Sequence, residues 1–149
     1  MGYTITVFGL GFVGLTTALA FAEHNNTVYG VDVDDKRANM IRSGRLPFVE
    51  PGLDEALHRH IDKKFFISND VEESVKNSDF IFLCVGTPCR DNGEADLRYI
   101  YSAIDMFASI INDGKYRVVV IKSTVPPSTT SEMVIPYLEK KGLFPGATF

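Results

Sequence analysis

Short apolar runs and helix-like segments alternate along the whole chain. The apolar runs are rich in β-branched and aromatic residues, which is typical of strands. Several are apolar at every position rather than at alternate ones, which indicates strands buried on both faces of a sheet. The predicted strands are Thr4–Phe8, Thr27–Val31, Phe65–Ile67, Phe80–Val85 and Arg117–Ile121, with the beginning of a further strand at Gly146–Phe149.

The segments between these strands carry helix signals, such as an acid near the start and a glycine just past the end. The predicted helices are Phe12–Glu23, Asp34–Ser43, Gly52–Asp62, Asp70–Lys76, Leu97–Ile111 and Ser128–Lys141. Cys84–Ala95 is predicted to be a loop because it is rich in Gly, Pro, Asn and Asp. This alternation predicts an α/β fold, a Rossmann-type doubly wound parallel sheet in three layers.

Composition narrows the possible functions. The 149 residues fit one domain, and 45% hydrophobic with 23% charged residues is ordinary for a globular protein. The net charge of -4 does not suit a nucleic-acid binder, which usually has a basic face. Two cysteines without a spacing pattern predict neither a zinc site nor a disulfide framework. We therefore expect a cytoplasmic protein with no bound metal, no nucleic-acid partner and no membrane segment.

A glycine motif, G-x-G-x-x-G, lies between the first predicted strand and the first predicted helix. Gly9 allows a tight turn, Gly11 lets the backbone approach a pyrophosphate, and Gly14 lets the helix pack close to the strand. Phe12 and Val13 then fall in the first turn of a helix whose N-terminus favours phosphate. The alternative to a phosphate-binding turn is a strand-turn-helix in which the glycines serve packing alone.

Asp32 follows the second predicted strand, at about the spacing of 20 residues that the dinucleotide fingerprint requires. A carboxylate there accepts hydrogen bonds from a ribose and repels a 2′-phosphate, so NAD is favoured over NADP. Arg37 lies on the first turn of the next helix, where it could cover the adenine or ribose edge. It could also be a solvated helix charge, or suit a 2′-phosphate, so NADP remains an alternative.

Two further segments follow predicted strands and should reach the same edge of the sheet. Val85, Gly86 and Thr87 come after the fourth strand, and Ser123 and Thr124 after the fifth. In open α/β sheets, ligands lie outside the carboxyl ends of the strands. These residues are therefore candidates for the nicotinamide side of the site; the alternative is that they serve the turns alone, since Ser and Thr also cap helices.

Taken together, the segments resemble the NAD-binding domain of the UDP-glucose/GDP-mannose dehydrogenase family. The E-P-G-L and K-S-T-V-P-P motifs are more specific than the glycine motif, and their joint presence carries the resemblance. The segments that carry it are Val7–Gly14, Gly30–Asp34, Pro47–Leu53, Val85–Pro88, Asp91–Leu97 and Lys122–Thr130.

The resemblance implies an enzyme that uses two NAD to oxidise the C6 alcohol of a nucleotide sugar to a carboxylate, through a cysteine thioester. By matching motifs, it implies that Gly9, Gly11, Phe12 and Val13 hold the pyrophosphate. It further implies that Asp32 and Arg37 hold the adenosine ribose, that Thr87 and Thr124 line the nicotinamide side, and that Thr124 positions a catalytic water.

Two departures from the family pattern matter. Ser128 replaces the glycine that usually follows the two prolines, which changes the expected turn. The family's catalytic lysine, asparagine and cysteine come later than Phe149, and neither Cys84 nor Cys89 matches the nucleophile motif. We expect Cys84 to be a core residue.

Residues 1–149 are therefore expected to form the NAD-binding domain alone, without the central helix and the C-terminal nucleotide-sugar domain. The parent protein is expected to be a homo-oligomer in polysaccharide biosynthesis, with UDP-glucose as the default substrate. Other UDP or GDP sugars remain open. The alternatives are a non-enzymatic NAD-sensing regulatory domain and another hydroxyacid-type dehydrogenase.

Overall fold

Five parallel strands form one sheet in the computed structural model, which describes residues 2–149. The strands are β1 (Thr4–Phe8), β2 (Thr27–Val31), β3 (Phe65–Ile67), β4 (Phe80–Leu83) and β5 (Val118–Ile121). Their order in the sheet is β3-β2-β1-β4-β5, and every neighbouring pair is parallel. The strand order reverses between β1 and β4, which is where open α/β sheets bind ligands.

Helices cover both faces of the sheet, so the predicted three-layer α/β fold is confirmed. The helices are α1 (Phe12–Glu23), α2 (Asp35–Arg42), α3 (Leu53–His60), α4 (Val71–Asn77), α5 (Arg98–Phe107) and α6 (Ile135–Glu139). One apolar core joins the sheet to α1, α2 and α3 through residues such as Leu15 and Ile41. A second core joins the other face to α4, α5 and α6 through residues such as Phe107 and Leu138.

Most predicted helices are slightly too long at their ends. Asp34 and Asp70 cap α2 and α4 instead of beginning them, because their side chains accept hydrogen bonds from the first-turn N–H groups. Gly52 is likewise the cap of α3, in a left-handed conformation. α5 ends at Phe107, before the predicted Ile111.

The final predicted helix, Ser128–Lys141, is interrupted. A π-helical turn, Thr130–Val134, comes first, and α6 follows it. Pro136 lies at the start of α6, and a proline has no N–H to donate to the preceding turn, so a regular α-helix cannot continue through it. Ser128 has a φ of 65°, a left-handed conformation that favours the glycine usual at this position.

The predicted strand at Gly146–Phe149 is wrong. The N–H groups of Ala147 and Thr148 both bond to the carbonyl oxygen of Phe144, so this segment is a turn. Its single bond to the sheet region runs from the Arg117 N–H to the Thr148 carbonyl oxygen, at 3.2 Å. β5 accordingly begins at Val118 and not at Arg117. β4 ends at Leu83, before the predicted Val85.

Arg117 is fully buried beside the start of β5. Its guanidinium donates to both carboxylate oxygens of Asp113, at 2.7 and 2.6 Å, and to the carbonyl oxygens of Val75, Lys76 and Lys115. The guanidinium hydrogen bonds hold the pKa of Asp113 well below its usual range. Arg117 thus ties the last turn of α4 to the edge of the sheet.

Candidate functional site

A cavity of about 540 Å³ opens at the carboxyl ends of β1, β2, β4 and β5. It is lined by all of the sequence-predicted site residues except Gly14, which lies buried in α1 below the glycine loop. The predicted residues that line it are Gly9, Gly11, Phe12, Val13, Asp32, Arg37, Val85, Gly86, Thr87, Ser123 and Thr124. The fold therefore gathers four separate sequence segments around one space.

The glycine loop turns tightly between β1 and α1. Gly9 has a φ of 87°, and a Cβ there would lie 2.8 Å from the carbonyl oxygen of Cys84. A Cβ on Gly14 would lie 1.8 Å from the carbonyl oxygen of Gly9, which is a backbone atom that cannot rotate away. Both positions require glycine because the loop, α1 and β4 pack directly against one another.

Gly11 differs from these two glycines because it faces open space. No atom lies within 4 Å of the position that its Cβ would take. α1 begins at the next residue, no side chain caps it, and no acid lies in its first turn. The N–H groups of that turn and the positive end of the helix are therefore free to receive an anion, and the residues fit the pyrophosphate of a dinucleotide.

Asp32 is a nearly buried carboxylate between the glycine loop and α2, with its side chain 3% exposed. One oxygen accepts from the Leu10 N–H at 2.7 Å, and the other accepts from the Asp34 N–H at 2.8 Å. The Arg37 guanidinium donates to both oxygens. The bond to Leu10 anchors the glycine loop to β2, a role that the sequence motif does not reveal.

The loops after β4 and β5 are joined by side-chain hydroxyls. Thr87 donates to the Thr124 carbonyl oxygen at 2.7 Å, and Ser123 donates to the Val85 carbonyl oxygen at 2.7 Å. Each of these hydroxyls has given its proton to a carbonyl, so toward a ligand it is able only to accept. Among residues 2–149 the Thr124 hydroxyl has no hydrogen-bond partner, so it can both donate and accept.

One wall of the cavity was not predicted as part of the site. It consists of four side chains of α5, namely Tyr99, Ser102, Ala103 and Met106. Their spacing places them on one stripe of the helix. That periodicity is visible in the sequence, but only the folded structure shows that the stripe lines the same cavity as Asp32 and Val33.

Cys84 is buried at the floor of the cavity, as predicted for a core residue. Burial raises the pKa of its thiol to about 11, and the nearby Lys122 ammonium only partly opposes this effect. The thiol is therefore protonated near neutral pH, where a cysteine nucleophile needs the thiolate.

A parallel sheet, a glycine turn leading into an uncapped helix and a carboxylate after the second strand together define a dinucleotide-binding domain. The sequence model of the UDP-glucose/GDP-mannose dehydrogenase family, NAD binding domain, matches residues 3–145. The chain belongs to this family, and NAD is the cofactor of the domain.

The relatives that it matches include longer proteins named as dehydrogenases. GDP-mannose 6-dehydrogenase of Pseudomonas aeruginosa is 37% identical over 137 residues, which cover 91% of this chain and 31% of that protein. UDP-glucose 6-dehydrogenase TuaD of Bacillus subtilis is 37% identical over 126 residues, covering 84% of this chain and 27% of that protein. The chain thus spans less than a third of the length of these curated relatives.

Solved structures agree with the fold. A ternary complex of GDP-mannose dehydrogenase from Pseudomonas aeruginosa superposes with a TM-score of 0.87 at 36% identity, covering 93% of this chain and 32% of that one. A UDP-glucose dehydrogenase from Pyrobaculum islandicum also gives 0.87, at 37% identity, covering 95% of this chain and 33% of that one. Within residues 2–149, no helix has the length and hydrophobicity needed to cross a membrane.

Proposed function

We propose that this chain is the cofactor-binding domain of a nucleotide-sugar dehydrogenase that oxidises the C6 alcohol of a sugar to the uronate in two hydride transfers. One observation carries the proposal: the uncapped first turn of α1, the open space at Gly11 and the carboxylate of Asp32 all line one cavity. UDP-glucose is the default substrate. Relatives named for UDP-glucose, GDP-mannose and UDP-N-acetyl-D-mannosamine support the class of substrate.

The β1–β2 half of the cavity is assigned to the adenosine diphosphate part of NAD. Gly9, Gly11, Phe12 and Val13 bind the pyrophosphate through backbone N–H groups and the N-terminus of α1. Asp32 accepts hydrogen bonds from the adenosine ribose, with Arg37 beside it. Gly14 supports this half from below by letting α1 approach the loop.

The β4–β5 half is assigned to the nicotinamide end. When bound, NAD supplies a ring that accepts a hydride. Val85 and Gly86 form a surface without long side chains, and Thr87 and Ser123 hold the two loops together. Thr124 is the proposed catalytic residue of this domain, because its unpaired hydroxyl is able to hold a water beside the reacting carbon.

The remaining steps are proposed to belong to a longer parent protein. The thioester step needs a reactive cysteine, and Cys84 is buried with a raised pKa while Cys89 lies in an exposed loop without a matching motif. We therefore propose that a nucleotide-sugar domain and a central helix follow this domain in the parent. We further propose that residues 1–149 alone bind NAD without turning over substrate, and that the parent is a cytoplasmic homo-oligomer serving polysaccharide biosynthesis.

NAD binding to the isolated chain tests the assignment of the cavity. Gly11→Ala should keep the fold, because the backbone φ of -68° suits alanine and the new methyl group meets no protein atom. The methyl group would instead occupy the space assigned to the pyrophosphate. Calorimetry should show NAD affinity reduced at least about tenfold, equivalent to one lost charge-assisted hydrogen bond. Unchanged affinity would place the pyrophosphate elsewhere.

Activity of the full-length parent tests the proposed reaction. The protein is assayed with UDP-glucose, UDP-N-acetylmannosamine and GDP-mannose, each with NAD and with NADP, by following reduction of the nicotinamide at its absorbance band. Reduction of two NAD per sugar is expected with one of the three. No reduction with any of them would contradict the dehydrogenase function while leaving NAD binding by the domain intact.

A further inference from the structure

One of the charged residues that line the cavity has no counter-charge. Asp32 and Arg37 form an ion pair with each other at 2.9 Å. Lys122, the residue that follows β5, also lines the cavity. The lysines that form ion pairs among residues 2–149 are Lys76, Lys115 and Lys141. The charged residues of the cavity therefore leave a net positive charge, and that charge belongs to Lys122.

The neighbour of Lys122 on the adjacent strand is neutral. In the parallel register of β4 and β5, Leu83 lies opposite Ile121, and the Lys122 N–H donates to the Leu83 carbonyl oxygen at 2.9 Å. This register places Cys84 beside Lys122. Burial raises the pKa of the Cys84 thiol to about 11, so the thiol carries no charge near neutral pH and does not balance the lysine.

The place of Lys122 in the sheet puts its charge in the β4–β5 half of the cavity. β4 lies between β5 and β1, and neighbouring strands are about 4.8 Å apart, so the Lys122 backbone lies about 10 Å from the glycine loop. Ser123 and Thr124, which belong to the half assigned to the nicotinamide end, follow it directly. In the proposed placement of NAD, Lys122 therefore belongs to the nicotinamide end.

We propose that Lys122 makes the site favour the reduced cofactor over the oxidised one. This inference rests on the proposed placement of the nicotinamide ring in the β4–β5 half. The oxidised ring carries a positive charge, which it loses when it accepts a hydride, that is, two electrons and one proton. The Lys122 ammonium repels the oxidised ring, whereas the reduced ring has no charge for it to repel.

This preference acts on the reaction as well as on binding. By thermodynamic linkage, a group that favours the bound reduced cofactor by a given factor shifts the equilibrium of hydride transfer on the domain by the same factor. Because Lys122 is exposed, water screens its charge, and the factor is moderate, about threefold. Lys122 acts through its charge, so an arginine in its place should have the same effect.

The test compares the two redox forms of the cofactor on the 149-residue chain. NAD and NADH are titrated calorimetrically into the natural chain and into Lys122→Met, which should fold normally because Lys122 is exposed. The ratio of NADH affinity to NAD affinity should fall about threefold in Lys122→Met. Any effect of Lys122 on the pyrophosphate cancels in this ratio, since both forms carry it. Lys122→Arg should keep the ratio of the natural chain.

Lys36→Met is the matched control, since Lys36 is an exposed lysine at the start of α2 that does not line the cavity, and this variant should leave the ratio unchanged. An unchanged ratio in Lys122→Met would overturn the inference, as would an equal fall in Lys36→Met or in Lys122→Arg. Each of these results still requires binding of both forms, so the proposed function would stand. If the natural chain binds neither NAD nor NADH, the proposed function fails and this inference fails with it.

Discussion

The β1–β2 half of the cavity and the β4–β5 half are built in different ways. The first is shaped by backbone packing, since glycines at positions 9 and 14 bring the loop, α1 and β4 into direct contact. The second is shaped by side-chain hydroxyls, since Thr87 and Ser123 fasten one loop to the carbonyl groups of the other. A substitution that forces an atom into a closely packed backbone contact destabilises the fold strongly. Loss of one hydrogen bond between two loops lowers the free energy of unfolding much less.

Gly14→Ala is the substitution expected to break the first half. The added Cβ would lie 1.8 Å from the Gly9 carbonyl oxygen and 3.1 Å from the Cys84 Cβ, so the loop and α1 have to separate. We expect a loss of about 3 kcal/mol in the free energy of unfolding, the upper part of the usual range for overpacking. Urea denaturation followed by circular dichroism measures it.

Gly11→Ala is the control for that experiment. It adds the same methyl group at another glycine of the same motif, but no protein atom lies within 4 Å of the new Cβ. Its free energy of unfolding should stay within about 0.5 kcal/mol of the natural chain, as for surface substitutions without special contacts. Equal losses in the two variants would contradict the distinction between a packing glycine and a ligand-facing glycine.

This contrast also explains what the sequence could predict. The glycine motif and the acid after β2 are local in sequence, so the expected cavity position followed from spacing and strand pattern alone. The Leu10–Asp32 bond and the wall formed by α5 depend on which segments become neighbours in space. No local pattern encodes those contacts.

Ser123→Ala tests the second half. It removes a hydroxyl that donates to Val85 at 2.7 Å and lies 3.2 Å from the Leu83 carbonyl oxygen. The expected loss is about 1 kcal/mol in the free energy of unfolding, the usual value of one hydrogen bond. Thr16→Ala is the control, because the Thr16 hydroxyl bonds only within its own helix, to Phe12 and Val13. If Ser123→Ala costs no more than Thr16→Ala, the hydroxyls do not fasten the loops.

Ser128→Gly should have the smallest effect, and it should be stabilising. Ser128 holds a left-handed backbone just beyond the β5 loop, at a φ of 65°. Relief of that conformation outweighs the added freedom of glycine in the unfolded chain, leaving a gain of about 0.5 kcal/mol. Asn25→Gly is the matched comparison, since asparagine tolerates its φ of 63° better than serine does. A loss of stability in Ser128→Gly would mean that the serine side chain compensates for its backbone.

The ends of the chain's later elements were predicted least well, for physical reasons. Part of the helix expected around Pro136 is a π-helical turn instead. The apolar residues before and after this proline are nevertheless buried, as their periodicity indicates. The apolar run at Gly146–Phe149 is compatible with a strand, but the turn bonds to Phe144 decide its conformation. The periodicity of apolar residues indicates which side chains are buried, but it does not determine the backbone conformation at such positions.

The buried guanidinium of Arg117 has a consequence for tolerance of acid. Asp113 is the carboxylate that balances it, and its pKa is lowered from an ordinary value of 3.8 by the hydrogen bonds from Arg117. Folding therefore gains from this carboxylate in full above that ordinary value, and the gain is lost progressively as the pH falls further. Protonation of Asp113 leaves the buried guanidinium of Arg117 without its counter-charge, so strong acid should loosen the attachment of β5 to the last turn of α4.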